Sequence, residues 1–247
     1  NYANMPNPPK TVHVLAFANV QVLDVTGPLQ VFASANDLAR QQGLPLPYAP
    51  TVIAAGGGAV MSSAGLALMA EPLPSVGSDT LLIAGGWGVY EAAQDAALVA
   101  WVRDHGLRSR RVASVCTGAF LLAAAGLLDG RRATTHWSRC DALAREYPNV
   151  TVDADPIFVR DGNIWTSAGV TAGMDLALAL VDDDLGRFVG AFYLEQALDH
   201  LLLFRAALAG VDLDHLIAIA TLEELVGLDQ LQQLTGMRRV ARNDQHE

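Results

Sequence analysis

The chain has 247 residues, 51% of them hydrophobic and 17% charged, which suits one α/β domain with a large core, alone or with an appendage. A formal net charge of −10 argues against nucleic acid or an anionic membrane surface as a partner for the chain as a whole. Two cysteines are too few for a disulfide framework, no apolar run is of membrane-spanning length and no signal-like segment opens the chain, so a soluble, cytoplasmic protein is expected.

Residues 1–10, polar and proline-rich, read as a flexible tail. A first strand is expected over Thr11–Phe17, then a helix opening at Gly27-Pro28, where proline suits the first helical position. Tyr48–Ala55 reads as a second strand ending in a Gly56-Gly57-Gly58 turn. A buried strand over Thr80–Ala84 leads through Gly85-Gly86-Trp87-Gly88 into a helix over Glu91–Asp104. Arg111–Val115 is apolar and partly β-branched, as a strand covered on both faces should be, and Gly118–Gly126 reads as the helix after it. A short strand near Ala133–Thr135 and a helix over Ser138–Glu146 follow. Asp161-Gly162 joins two strand-like runs into a hairpin, and Ala172–Val181 gives an apolar helix ending in Asp182-Asp183-Asp184. Strands alternating with helices over 11–186 mean a doubly wound, mostly parallel sheet with an added hairpin. From Arg187 onward the pattern is helical only; residues 187–247 read as an extension packing on the sheet domain and on a partner subunit.

The chemistry centres on Cys116, placed where a buried strand turns sharply into a helix. A side chain there sits over the first helical turn, whose unpaired N–H groups and dipole favour an anion; a lowered pKa and a nucleophilic thiolate are expected, against the bland reading of an inert buried cysteine. Asp24 either caps the helix opening at Pro28 or lies at the carboxyl edge of the sheet beside the sulfur, where its pKa would rise and let it donate a proton. Thr117 offers a hydroxyl and an N–H next to the nucleophile, or is an ordinary first-turn residue. His136 is a base or a structural hydrogen-bonder. The Gly85-Gly86-Trp87 turn either lines the site, presenting backbone N–H groups as oxyanion donors, or is a plain turn. Neither glycine run has the spacing of a nucleotide fingerprint and no histidine shows metal-ligand spacing, so no cofactor and no metal are expected.

Taken together, Leu23-Asp24-Val25-Thr26-Gly27-Pro28, Ser114-Val115-Cys116-Thr117-Gly118, the run from Gly126 to Trp137 and the segment from Asp161 to Gly173 resemble the DJ-1/PfpI superfamily. The match is to its branch of isonitrile hydratases and N-terminal sensor domains of GlxA-like AraC-type regulators. The resemblance implies a flavodoxin-like α/β fold, a nucleophile elbow at Cys116 and a homodimer. In the hydratases the residue matching Cys116 attacks the isonitrile carbon, that matching Asp24 assists proton transfer, that matching Thr117 supports it, and water releases an N-substituted formamide. Two departures stand out. The family's Pro-Gly-Gly is Ala84-Gly85-Gly86 here, followed by a bulky Trp87 that would narrow the pocket, and Ile157–Gly173 looks closer to the regulators.

Three functions follow as expectations: a cysteine-dependent hydratase or hydrolase of a small electrophile, with isonitrile the best guess; a ligand-sensing domain; or a redox protein whose Cys116 oxidises. Residues 187–247 hold nine acidic against five basic side chains, the wrong sign for DNA binding, so an intact helix-turn-helix regulator is not expected.

Overall fold

The computed structural model describes residues 8–169 and 171–186. In chain order the elements are β1 (Lys10–Leu15), α1 (Val22–Gln41), β2 (Tyr48–Ala54), β3 (Gly58–Met61), β4 (Ala67–Pro72), β5 (Thr80–Ile83), α2 (Val89–Ala92), α3 (Ala96–Arg108), β6 (Arg111–Val115) and α4 (Gly118–Ala124). There follow β7 (Arg132–Ala133), a 3-10 turn over Trp137–Arg139, α5 (Cys140–Glu146), β8 (Thr151–Val152), β9 (Phe158–Asp161), β10 (Ile164–Ser167) and α6 (Thr171–Leu185). Eight strands form one sheet in the order β3-β4-β2-β1-β5-β6-β10-β9. All neighbours are parallel except β3–β4 at one edge and the β9–β10 hairpin at the other. The mostly parallel α/β fold with its appended hairpin is therefore as the sequence pattern implied; the expected tail and helical extension fall largely outside the described residues.

β5 and β6 are buried along their whole length, which is why they read as continuous apolar runs. Chain order leaves β1 toward β2 and then returns on the other side of β1 to β5, so the sheet changes winding direction between β1 and β5. The loops after β1, β5, β6 and β10 open on the same edge of four adjacent strands.

Several boundaries differ from the sequence reading. α1 begins at Val22, and Pro28 lies inside it, because Asp24, Val25, Gly27 and Pro28 are buried against the sheet side of the molecule and packing outweighs the proline signal. The helix expected over Glu91–Asp104 is two: Asp95 interrupts it and caps α3, its Oδ1 accepting from the Ala97 N–H at 2.9 Å and the Leu98 N–H at 3.1 Å. Asp182, Asp183 and Asp184 lie in the last turn of α6, which ends at Leu185. There the Asp184 side chain, 2% exposed, meets the equally buried Arg111 at 2.6 Å and accepts a hydrogen bond from the Tyr48 hydroxyl at 3.1 Å. This pair ties the far end of α6 to the starts of β2 and β6, fixing the helix that begins beside the hairpin at the opposite edge.

A second buried polar group lies under α3. His105 stacks on Trp101, and its Nε2 is 3.1 Å from the Ser78 hydroxyl. Burial pushes the His105 pKa down to about 4.

Removing Asp184 leaves a buried guanidinium without its closest anion, and Asp184→Ala should lower the unfolding free energy by about 3–5 kcal/mol in a denaturant titration. His105 takes up a proton more readily unfolded than folded. Its contribution is therefore complete above pH 6.5 and is lost as the pH falls toward 4. Melting temperatures measured across that window should fall more steeply for the native protein than for His105→Asn.

Candidate functional site

Cys116 follows β6 directly and has a left-handed backbone, φ 56°, before α4 begins at Gly118. A β-strand cannot run straight into a helix pointing back over the sheet without such a residue, and here it lifts the cysteine side chain to the carboxyl edge. The conformation is held from both sides of the peptide. The Cys116 N–H donates to the Ser167 carbonyl at 3.1 Å, and the Thr135 hydroxyl donates to the Cys116 carbonyl at 2.8 Å.

The other walls are close. A Cβ placed on Gly85 would lie 2.7 Å from Asp24 Oδ2 and 2.8 Å from Cys116 Cβ; one on Gly169 (φ 109°) would lie 2.9 Å from the sulfur. Only glycine leaves this room. Asp24 stands in the first turn of α1, fully buried, and is not the helix cap; the N-cap position is Gln21. Of the two positions offered by the sequence, the structure has the second, beside the sulfur: Asp24 hydrogen-bonds the Cys116 side chain and accepts the Gly85 N–H at 3.2 Å.

The electrostatics correct one expectation. Burial pushes the Cys116 thiol up to about 12, the Asp24 carboxylate beside it adds to the rise, and the hydrogen bond from the Thr117 N–H opposes it without prevailing. The helix N-terminus invoked from sequence is that of a seven-residue helix, and removal from water outweighs its dipole. Of the two readings of the Gly85-Gly86-Trp87 turn, Gly86 and Trp87 do line the site, but the glycine amides are not free as oxyanion donors: the Gly85 N–H is engaged by Asp24 and the Gly86 N–H by Thr117 Oγ1 at 2.9 Å. Thr117 Oγ1 in turn donates to the Gly86 carbonyl at 3.2 Å, clamping the β5 loop to the elbow.

A cleft of about 170 Å³ opens over the sulfur, lined by Cys116, Thr117, Gly86, Trp87, Tyr90 and His136 together with Gln21, Ser63, Ser138 and Arg139. Trp87 is 69% exposed and forms part of the rim. The His136 Nδ1 lies 2.9 Å from the Ser138 hydroxyl and accepts the Ser138 N–H at 3.4 Å, so one ring nitrogen is spent on the 3-10 turn. Sequence reasoning did not single out Gly169, Tyr90 or Arg139. Gly169, two residues past a strand at the carboxyl edge, carried a readable signal; Tyr90 and Arg139 carried none. Among the described residues no group of three or more His, Cys, Asp and Glu side chains is placed to hold a metal ion, and no helix is long and apolar enough to cross a membrane.

Comparison with known proteins bears on this geometry. The DJ-1/PfpI family pattern matches residues 10–183. The isonitrile hydratase of Pseudomonas putida is 39% identical over 179 residues, covering 70% of this chain and 71% of that protein. The HTH-type transcriptional regulator GlxA of Rhizobium meliloti (strain 1021) is 35% identical over 187 residues, covering 73% of this chain but 55% of the regulator. Among solved structures, a ThiJ/PfpI family protein from Pseudomonas syringae superposes with a TM-score of 0.68 at 29% identity, over 79% of this chain and 82% of that one.

Because its pKa is high and Asp24 contributes to the rise, alkylation of Cys116 by iodoacetamide should climb with pH throughout the neutral and mildly alkaline range. Asp24→Asn removes the carboxylate charge and should accelerate it about tenfold at fixed pH, followed by mass spectrometry of the Cys116 peptide.

Proposed function

The chain belongs to the DJ-1/PfpI family, and from the thiol–carboxylate pair beneath its cleft we propose that it hydrates a small electrophile, an isonitrile, through an adduct on Cys116. The observation that carries this reading is the buried Asp24 carboxylate hydrogen-bonded to a buried Cys116 thiol of raised pKa, at the floor of a cleft of small-molecule size. The likeness to the Pseudomonas putida isonitrile hydratase supports the choice of substrate.

An isonitrile carbon must gain both a nucleophile and a proton, and a neutral thiol holds both. As the carbon approaches, Asp24 draws the proton from Cys116 and the sulfur bonds to the carbon; the proton is delivered to that same carbon, giving a thioimidate on Cys116. The raised pKa retains the proton until it is consumed, and the Thr117 N–H steadies the sulfur while it carries negative charge. Water then adds to the thioimidate carbon, with Asp24 taking one of its protons. The nitrogen is protonated, the carbon–sulfur bond breaks and an N-substituted formamide leaves with the thiol restored. One isonitrile and one water give one formamide, with no oxidant or reductant.

A second reading has its own support: the likeness to GlxA extends over 187 residues, and the same cleft would serve a sensor as a ligand pocket without turnover.

Formamide production from a panel of alkyl and aryl isonitriles, measured by mass spectrometry, separates the two. Turnover should be abolished in Cys116→Ala and fall by about 10²–10⁴-fold in Asp24→Asn, the range for a lost general acid–base. Absence of turnover by the native protein across the panel would overturn the hydratase reading and leave the sensor.

A further inference from the structure

Arg139 differs from the arginines on and beside the strands and shares with Arg103 and Arg108 of α3 the lack of an ion pair among the described residues. Arg110, Arg111, Arg131, Arg132 and Arg160 each have an aspartate within 4.0 Å. Among the described residues Arg139 has no carboxylate partner. Its guanidinium carbon lies 5.3 Å from the centre of the Trp87 ring and 5.9 Å from that of Tyr90. Contact with two aromatic faces restricts the guanidinium without consuming its N–H groups, which bond in the plane of the group. Tyr90 lines the same cleft, and its hydroxyl is buried with no hydrogen-bond partner among the described residues.

A cation held on aromatic rings, with no side-chain hydrogen bond among the described residues, in the cleft that contains a nucleophile, has one natural complement, an anion. That attraction acts locally, although the chain's net charge of −10 opposes anions at long range. We propose that the cleft selects ligands carrying a carboxylate, which Arg139 binds while the electrophilic end of the same molecule reaches Cys116. The planar, two-pronged fit of guanidinium to carboxylate favours this anion. Trp87 is then a positioning residue for Arg139 and not a lid over the sulfur. Asp24 lies below the cleft and does not line it, so the repulsion it exerts on an anionic ligand acts from beneath. This inference rests on the Cys116 cleft being the ligand site, as in the proposed function, and adds to it the class of molecule accepted.

Two alkylating probes that differ only in charge, iodoacetate and iodoacetamide, test it without reference to isonitriles. In each case the sulfur–carbon bond forms, the carbon–iodine bond breaks, iodide leaves and the thiol proton goes to solvent. The ratio of iodoacetate to iodoacetamide rates at Cys116 should fall about tenfold in Arg139→Gln, the scale of one charge-assisted contact, and by less in Arg139→Lys, which keeps the charge but loses the two-pronged fit. An unchanged thermal unfolding midpoint certifies that the variant is folded, and the ratio cancels any change in thiol ionisation common to both probes. A ratio equal in the native and Arg139→Gln proteins would overturn the proposal. Propionate against propionamide, read on the Trp87 indole N–H signal by NMR, gives a measurement independent of the thiol: only propionate should shift it, and only with Arg139 present. If neither compound or both shift it equally, the proposal fails. A carboxylate preference without isonitrile turnover would sink the hydratase reading alone; turnover with a ratio indifferent to Arg139 would sink this inference alone.

Discussion

The left-handed backbone at Cys116 is the constraint on which the site depends. A non-glycine residue at φ 56° is strained by about 1 kcal/mol or more, and such strain persists only where the surroundings over-determine it. Here the surroundings come from three directions: β10 accepts the Cys116 N–H, Thr135 holds its carbonyl, and Gly85 and Gly169 leave the space its side chain fills. The parallel register of β5, β6 and β10 brings these groups together, so the sheet is the scaffold of the elbow in a direct mechanical sense.

The same enclosure sets the chemistry. Burying a thiol beside a carboxylate makes the thiolate unfavourable, so the site is poised to keep a proton and not to give one up in advance. That is a poor arrangement for an exposed, always-ionised nucleophile. It suits a reaction in which sulfur and proton are delivered to one carbon. The glycine amides, spent on Asp24 and Thr117, orient the acid and the elbow with respect to each other, while the cleft above supplies polar and aromatic walls.

Much of this was legible along the chain. β5 and β6 announced themselves because strands covered on both faces must be apolar throughout, and the Asp161-Gly162 turn fixed the hairpin that became β9 and β10. The β3–β4 pair leaves no such mark: Gly58–Met61 and Ala67–Pro72 are short, and their partners are specified by pairing, not by alternation. The start of α1 differs from the sequence pattern because Pro28 is a local signal, whereas the burial of Asp24 and Val25 is a tertiary one. Arg111 and Asp184, 73 residues apart, carry no mark in the sequence that they form a buried pair.

By itself the sequence determined the α/β class, the succession of central strands and the position of Cys116 at a strand-to-helix turn, since hydrophobic periodicity and turn chemistry are local properties. Which groups surround the sulfur was decided only by the tertiary structure: whether Asp24 caps a helix or meets the thiol, whether the glycine amides are free, and that Arg139 faces Trp87 and Tyr90. The state of the thiol was decided there as well. A helix terminus can be read from neighbouring residues, but burial and the approach of a distant carboxylate exist only once the chain has closed on itself, and at Cys116 those two effects are the larger.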